Sequence, residues 1–342
     1  MKAKAIQILK FLVFTGIGVV LVWFIVKDLS DKDKSEILSG FKKANYWWLF
    51  GGFVVGIISH ILRSIRWQMM LEAVDKKPRF DTAFFALIIG YMANLAIPRL
   101  GEVSRCGILN QHENIPMEKS LGTVVTERII DTIFLGLSIL LLLATQYKLI
   151  TDFVFSTLNS KSSSGVAPSS MLNEYKWIIL FCLIALFICI LIVISKTEKG
   201  KEFILKIKTL VDGFMAGILS VFKLKNKWLF VCYSIAIWLL YLLSVIMSFK
   251  AIEQTAHLGM DAGLSVLVMG TFAYILVQGG IGAYQLIVMQ TLLLYQVSSN
   301  TGYTIGWLSW ASQTIAFIII GILSIVILSF RKKKDLSVIT NA

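Results

Sequence analysis

The segment from Asn94 to Arg105 combines charged residues with helix breakers between two apolar runs. It carries Arg99, Glu102 and Arg105 together with a proline and a glycine. A charged side chain at the centre of an inserted helix costs roughly 2.5–3.5 kcal/mol, and a broken helix frees backbone groups that hydrocarbon cannot satisfy. The segment is therefore expected to be buried in protein or to line a wet cavity.

The spacing of these charges predicts a small ionic triad. Arg99, Glu102 and Arg105 lie three residues apart, so they share one face of a half-helix that follows Pro98. Such a triad either holds a helical hairpin closed or binds an anion, helped by free N–H groups at the helix N-terminus. We favour the anion site, because a structural hairpin does not need so many charges at that depth.

A second charged group ends an earlier apolar run. Arg63 shares a helical face with Arg66 and Trp67. Arginines with a tryptophan at such a position either anchor the helix at the membrane interface or bind phosphate through paired guanidinium contacts.

A third charged group lies inside a later apolar run. Glu127 and Asp131 are one helical turn apart, and Arg128 is spaced to pair with Asp131. The group is either an internal salt bridge that lets the helix insert, or it neutralises Arg99 or Arg105 across the hairpin.

A fourth motif is rich in glycine. Gly279, Gly280 and Gly282 lie between Gln278 and Gln285, and glycine permits close backbone approach. The motif is not a nucleotide-binding loop, because no Lys-Ser or Lys-Thr pair follows it. It is interpreted as a tight hairpin turn that can also line a site.

Composition indicates the kind of protein that must position these residues. Hydrophobic residues make up 57% of the 342, with a mean hydropathy of +0.78, whereas a soluble domain is about 45–50% apolar. The apolar runs are continuous, which favours an all-α polytopic membrane protein over a β-barrel. The net charge of +13 is explained by positive loops on the inner side rather than by nucleic-acid binding. No metal-ligand cluster is evident, so we expect no metal and no cofactor.

The apolar runs predict six full spans and two interrupted stretches. The interrupted stretches, about 81–110 and 262–296, have halves too short to span, so each predicts a re-entrant hairpin. The six predicted spans are about 8–26, 46–67, 120–145, 177–195, 228–250 and 303–330.

Charge counting gives an orientation. With both termini in the cytoplasm, 22 Lys and Arg side chains lie inside and 9 outside, as the positive-inside rule favours. The halves 1–150 and 177–330 then form an inverted-topology repeat, with one hairpin entering from each side. A flexible Ser-rich outer loop at 151–176 joins them, and 331–342 is a basic cytoplasmic tail.

Four motifs in this order resemble the flippase-like transmembrane domain of bacterial lysylphosphatidylglycerol synthases. The resemblance covers nearly the whole chain and implies a stand-alone membrane domain of the kind that moves an aminoacylated phospholipid between leaflets. The motifs are Arg63-x-x-Arg66-Trp67, Asn94-x-x-x-Pro98-x-x-Gly101-Glu102-x-x-Arg105, Glu127-Arg128-x-x-Asp131 and Gly279-Gly280-x-Gly282.

The chain departs from the family pattern at two places. It ends at Ala342, shortly after the last predicted span, so we expect no aminoacyltransferase domain and no lysyl transfer. Gln278 and Gln285 stand where the family often has Pro and Glu, which removes a carboxylate that could counter a cationic headgroup.

The leading hypothesis is a non-enzymatic lipid translocator of the bacterial cytoplasmic (inner) membrane. Arginines would bind the phosphate of a phospholipid or lipid-linked headgroup, and carboxylates would hold them in place or contact a cationic headgroup. One alternative is a membrane enzyme that uses Glu102, Glu127 or Asp131 as a base. Another is a non-catalytic partner in envelope-lipid biosynthesis. Homo-oligomerisation is compatible with each.

Overall fold

The computed structural model describes residues 29–97, 100–160 and 224–331, with a few positions between 16 and 27. Within these ranges the chain is helical and contains no strand, which confirms the predicted all-α class there. The predicted spans 8–26 and 177–195 lie largely or wholly outside the described residues, as do most of the loop at 151–176 and of the tail at 331–342.

Nine α-helices are described, with two short 3-10 turns at Glu253–Thr255 and Gln278–Gly280. The helices are α1 Asp31–Lys43, α2 Tyr46–Val74, α3 Phe80–Ala96, α4 Leu100–Glu113, α5 Met117–Ser160, α6 Lys227–Phe249, α7 Met260–Leu276, α8 Ala283–Leu293 and α9 Ser299–Ser329.

Four of these helices can cross a membrane by length and composition. They are α2, α6 and α9 over their full lengths, and α5 from Met117 to Tyr147. They coincide with the predicted spans at 46–67, 120–145, 228–250 and 303–330, so these four predictions are confirmed.

The two interrupted stretches each form a pair of short antiparallel helices. The helix α3 ends at Ala96 and α4 starts at Leu100, while α7 and α8 are separated at 277–282. Both breaks therefore occur where the sequence predicts them, because proline and left-handed glycines cannot continue a helix. The re-entrant placement of the two hairpins in the membrane stays a prediction.

The order of elements occurs twice along the chain. A long helix, two short helices and a long helix run from α2 to α5 and again from α6 to α9. The helices α3 and α7, which open the two hairpins, each have 17 residues. This order agrees with two repeats, while their inversion and the predicted boundaries stay predictions.

The chain divides into two compact units, one of Met1–Leu142 with Val221–Ala342 and the other of Leu143–Ser220. Both hairpins and all the residues discussed below belong to the first unit. Within it, the two helix breaks approach each other, because a Cβ atom on Gly279 would lie 3.5 Å from the Leu95 side chain.

Gly282 begins α8 with a backbone conformation that favours glycine, at φ 76° and ψ −49°. Gly282→Ala is expected to lower the stability by about 1–3 kcal/mol, the cost of holding an L-residue in a sparsely populated backbone region. Thermal unfolding of the purified protein in detergent measures this. Gly259→Ala is the matched control, since Gly259 caps α7 at a negative φ of −116° with nothing within 4 Å of its Cβ position. Equal losses in the two variants would contradict the prediction.

Candidate functional site

Glu127 on α5 lies at the centre of a buried cluster of ion pairs. Its Oε1 accepts from Arg63 Nε at 2.5 Å, and its Oε2 accepts from Arg105 Nη2 at 2.7 Å. Arg66 Nη2 lies 3.8 Å from Oε1, and the side chains of Arg66 and Glu127 are both fully buried. Because a buried charge must be paired to be tolerated, this carboxylate holds α2, α4 and α5 together.

Asp131 completes the arginine cluster one turn further along α5. Its Oδ1 accepts from Arg66 Nη2 at 2.7 Å, and its Oδ2 accepts from Arg63 Nη2. Its side chain is 16% exposed, more than that of any other member of the cluster. The cluster of Arg63, Arg66, Arg105, Glu127 and Asp131 therefore has a formal charge of +1, with its acidic edge towards the more open side.

Two residues of α6 also accept hydrogen bonds from the arginine cluster, and neither was predicted from the sequence. Arg63 Nη1 donates to the Tyr241 hydroxyl at 2.9 Å, and Arg66 Nη1 donates to Ser234 Oγ at 3.1 Å. Their seven-residue spacing places them on one face of an otherwise apolar helix. That spacing is the signal that could have identified them.

Trp67 supports Arg105 from α2. The guanidinium of Arg105 lies 4.6 Å from the centre of the Trp67 ring, and Trp67 Nε1 donates to Thr123 Oγ1 at 2.9 Å. Trp67 is fully buried. It is therefore a packing platform for a buried cation, not an interfacial anchor.

Several polar atoms of the arginine cluster and its surroundings have no hydrogen-bond partner among the residues that the structure describes. These include the Nε–H groups of Arg66 and Arg105, the His60 Nδ1 and the Tyr91 hydroxyl. The His60 and Tyr91 rings lie 5.0 Å apart, and the Arg63 guanidinium lies 5.9 Å from the Tyr91 ring. Buried donors without partners cost about 1–3 kcal/mol each, so such a concentration indicates a place for a polar ligand or for water.

The charged residues pair differently from the sequence expectation. Arg128 Nη2 donates to Glu102 Oε1 at 2.8 Å in a partly exposed pair. The predicted pairing of Arg128 with Asp131 is therefore wrong, as is the predicted sharing of one triad by Glu102 and Arg105. Arg105 instead meets Glu127 across the hairpin, as the alternative predicted. Arg99 lies outside the described residues.

Asn94 and Gly101 hold the first hairpin at its turn. The Gly101 N–H donates to Asn94 Oδ1 at 2.8 Å. A Cβ on Gly101 would lie only 2.0 Å from the Gly90 carbonyl oxygen, so the backbones of α3 and α4 are in contact. This contact sets the position of Arg105, one turn further along α4.

The glycine-rich motif lies on the opposite hairpin and not among the arginines. Gly279, Gly280 and Gly282 have φ values of 67°, 70° and 76°, and Trp310 Nε1 donates to the Gly279 carbonyl at 2.7 Å. Gln285 is fully buried against α9, and its amide has no hydrogen-bond partner in the described part of the chain.

A small polar cavity of about 40 Å³ lies between α2, α6, α9 and the second hairpin. Ser244, Ser248, Ser309 and Gln313 are among its lining residues, and Gln313 Nε2 donates to Ser244 Oγ at 3.0 Å. A water molecule needs roughly 10–15 Å³, so the cavity has room for a few waters.

The polar side chains of α6 connect the arginine cluster with this cavity. Ser234, Tyr241, Ser244 and Ser248 fall on one face of the helix, at intervals of seven, three and four residues. The first two contact arginines and the last two line the cavity. This polar face of α6 extends about 21 Å at 1.5 Å per residue.

Comparison with known proteins gives the family. Over 165 residues the chain is 27% identical to the UPF0104 membrane protein MJ1595 of Methanocaldococcus jannaschii, covering 45% of this chain and 43% of that protein. The match thus spans less than half the length of that relative. No solved structure matches the chain. The model of the family described as Lysylphosphatidylglycerol synthase TM region matches residues 7–328, a range that contains both hairpins and all four motifs. The chain therefore belongs to the Lysylphosphatidylglycerol synthase TM region family and is a multi-pass membrane protein, as its motifs predict.

Proposed function

We propose that this protein translocates a phospholipid or lipid-linked molecule whose anionic headgroup moves along the polar face of α6. The observation that carries the proposal is the continuity of that face, from the arginine cluster to the polar cavity. Family membership supports it, because the family's name refers to a membrane lipid. The protein would lie in the cytoplasmic membrane, with both termini inside.

The charge of the arginine cluster supports an anionic group as its ligand. Three arginines share two carboxylates, which leaves a formal charge of +1. The unpartnered Nε–H groups of Arg66 and Arg105 are additional donors. A phosphate accepts from guanidinium groups in the same paired geometry as a carboxylate, so it can replace Asp131 as the acceptor of Arg63 and Arg66.

The polar face of α6 supports movement rather than only binding. Its length of about 21 Å, at 1.5 Å per residue, is a large part of the roughly 30 Å hydrocarbon thickness. The serine hydroxyls along it donate to backbone carbonyls in the structure, and a passing headgroup would replace those carbonyls as their acceptor. The approach of the two helix breaks agrees with a path that runs between the hairpins.

We propose no catalytic role for Glu127 and Asp131. Both oxygens of Glu127 already accept from arginines, and both oxygens of Asp131 do the same. Neither carboxylate therefore has an unoccupied oxygen positioned to take a proton from a lipid.

Transport is tested by reconstituting the purified protein into vesicles that contain fluorescent phosphatidylglycerol. Accessibility of the fluorophore to dithionite reports its transfer between leaflets. Arg105→Gln is expected to slow transfer by about tenfold or more, because a hydrogen bond to a charged group is worth about 1.5–3 kcal/mol.

The matched control is Arg79→Gln. Arg79 is 69% exposed in its pair with Asp81 and lies before α3, so this variant is expected to transport at the wild-type rate. Thermal unfolding must show that both variants are folded. A folded Arg105→Gln protein with unchanged transfer would contradict the proposal.

A further inference from the structure

A larger polar pocket lies at the other end of α2 and α6 from the arginine cluster. It has a volume of about 630 Å³ and is formed by α1, the turn after α6 and the start of α9. Asn45 N–H donates to the Ala251 carbonyl at 2.7 Å, which joins the start of α2 to the end of α6. Arg63 lies about 25 Å away along α2, at 1.5 Å per residue.

The lining of this outer pocket is almost entirely polar. Serine and threonine hydroxyls from α1 and α9 surround it, with one isoleucine. The amides of Gln254 and Asn300, the carboxylates of Glu36 and Glu253 and the ammonium of Lys43 complete it. No aromatic ring is among its lining residues.

The helix α1 is held over the outer pocket by specific contacts. Asn300 Nδ2 donates to Asp33 Oδ1 at 2.8 Å and to Glu36 Oε2 at 2.7 Å. A reciprocal capping box between Ser30 and Asp33 fixes the first turn of α1. The hydrogen bond from Asn300 keeps the pKa of Asp33 below its usual value. The outer pocket is therefore formed before any ligand arrives.

The charges and hydrogen-bonding groups define the class of ligand. Two carboxylates and one ammonium give the lining a formal charge of −1, which disfavours an anion, while the Lys43 ammonium weakens the attraction for a cation. Carboxylates and amide oxygens accept from hydroxyl groups, while the serines and threonines can donate or accept. A volume of about 630 Å³ is within the usual range for small-molecule sites.

We propose that the outer pocket binds an uncharged polyhydroxylated group, such as a sugar or a polyol. The group can be the headgroup of a glycolipid or a free molecule. This inference goes beyond the proposed function, because binding to the outer pocket can be measured without transport. The two proposals are compatible in space. A headgroup that leaves the polar face of α6 at Ser248 would meet the turn at Ile252–Gln254, which lines the outer pocket.

Saturation-transfer NMR on the protein in phosphatidylcholine nanodiscs tests the proposal, with methyl α-glucoside and myo-inositol as probes. At least one probe is expected to receive saturation from the wild-type protein. The double variant Glu36→Gln/Glu253→Gln is expected to bind at least tenfold more weakly. Asp31→Asn is the matched control, because Asp31 lies on α1 but is fully exposed and outside the pocket lining, so its signal should persist.

Three outcomes would overturn the proposal: no signal from either probe, an unchanged signal in the double variant, or a signal only from a cationic probe such as lysine amide. If the double variant unfolds at a lower temperature than the wild type, the single variant Glu253→Gln takes its place in the binding test, since Glu253 lies in an exposed turn. Nanodiscs that contain glucosyl-diacylglycerol distinguish a glycolipid headgroup from a free sugar as the ligand. If the outer pocket binds the glycolipid, the glycolipid displaces the free sugar and the saturation-transfer signal of the sugar is lost. Sugar binding without lipid transfer would leave this inference standing while the proposed function fails.

Discussion

Replacing Glu127 with glutamine is expected to destabilise the protein by roughly 3–5 kcal/mol, the usual cost of breaking a buried ion pair. Glu127 accepts from Arg63 and Arg105 while wholly buried. In the variant, three buried arginines would share the single carboxylate of Asp131. The glutamine has nearly the same size, so the loss reports charge rather than a cavity.

Thermal or denaturant unfolding in detergent measures the effect of Glu127→Gln. Glu118→Gln is the control, because Glu118 lies on the same helix and is exposed; its effect should stay within about 1 kcal/mol, as for exposed charges. Adding Arg105→Gln to Glu127→Gln should recover part of the loss, since it removes one unpaired charge. A single variant as stable as the Glu118 control would show that the carboxylate does not hold the arginine cluster together.

Replacing Gly101 with alanine is expected to force the first hairpin apart. The new Cβ would lie 2.0 Å from the Gly90 carbonyl oxygen and 2.7 Å from Asn94 Cγ. The Gly90 carbonyl oxygen belongs to the backbone of α3, and the Asn94 side chain accepts from the Gly101 N–H, so neither group can move freely. We expect a loss of roughly 1–3 kcal/mol, the range for overpacking, and slower lipid transfer because Arg105 follows one turn later.

The same helix supplies the control for Gly101→Ala. Gly107 has nothing within 4 Å of its Cβ position, so Gly107→Ala should be neutral or should stabilise α4 by up to about 1 kcal/mol. Unfolding midpoints and transfer rates of the two alanine variants are to be compared directly. If both variants behave alike, the close contact of the two backbones does not determine the hairpin.

Sequence predicts the spans and the helix breaks well, because both depend on interactions within a few residues of the chain. The apolar length of α2 and α9 identifies them as spans, and Pro98 and Gly282 mark the two helix breaks. Proline cannot continue a helix, and a glycine at positive φ needs no support from tertiary contacts. Both signals operate within a few residues of the chain.

The pairing of charges could not be predicted, because it depends on how distant helices pack. Spacing within one helix suggests that Arg128 meets Asp131, yet Asp131 is taken by arginines of α2 some 65 residues away. Arg128 then meets Glu102 on the neighbouring α4. A sequence shows which residues share a helical face but not which helix that face contacts.

The position of Gln285 shows the same limit. The motif predicts that Gln285 lies at a turn that can line a site, and the packing of Gln285 against Gly306 of α9 is not visible from the motif. The converse holds for Tyr241, which belongs to the arginine cluster although it lies in an apolar run. A seven-residue search for polar side chains within spans would have found Tyr241 and Ser234.

Glu127 accepts hydrogen bonds from α2 and α4 at the same time. Binding of a ligand to these arginines is therefore coupled to the contacts between the helices. Under the proposed function, a phosphate that takes the Arg105 Nη2 donor away from Glu127 would weaken the attachment of α4 to α5. By reciprocity, any change that loosens this attachment raises the affinity for the headgroup by the same factor. Under the proposed function, binding of a headgroup and loosening of the first hairpin would therefore be coupled.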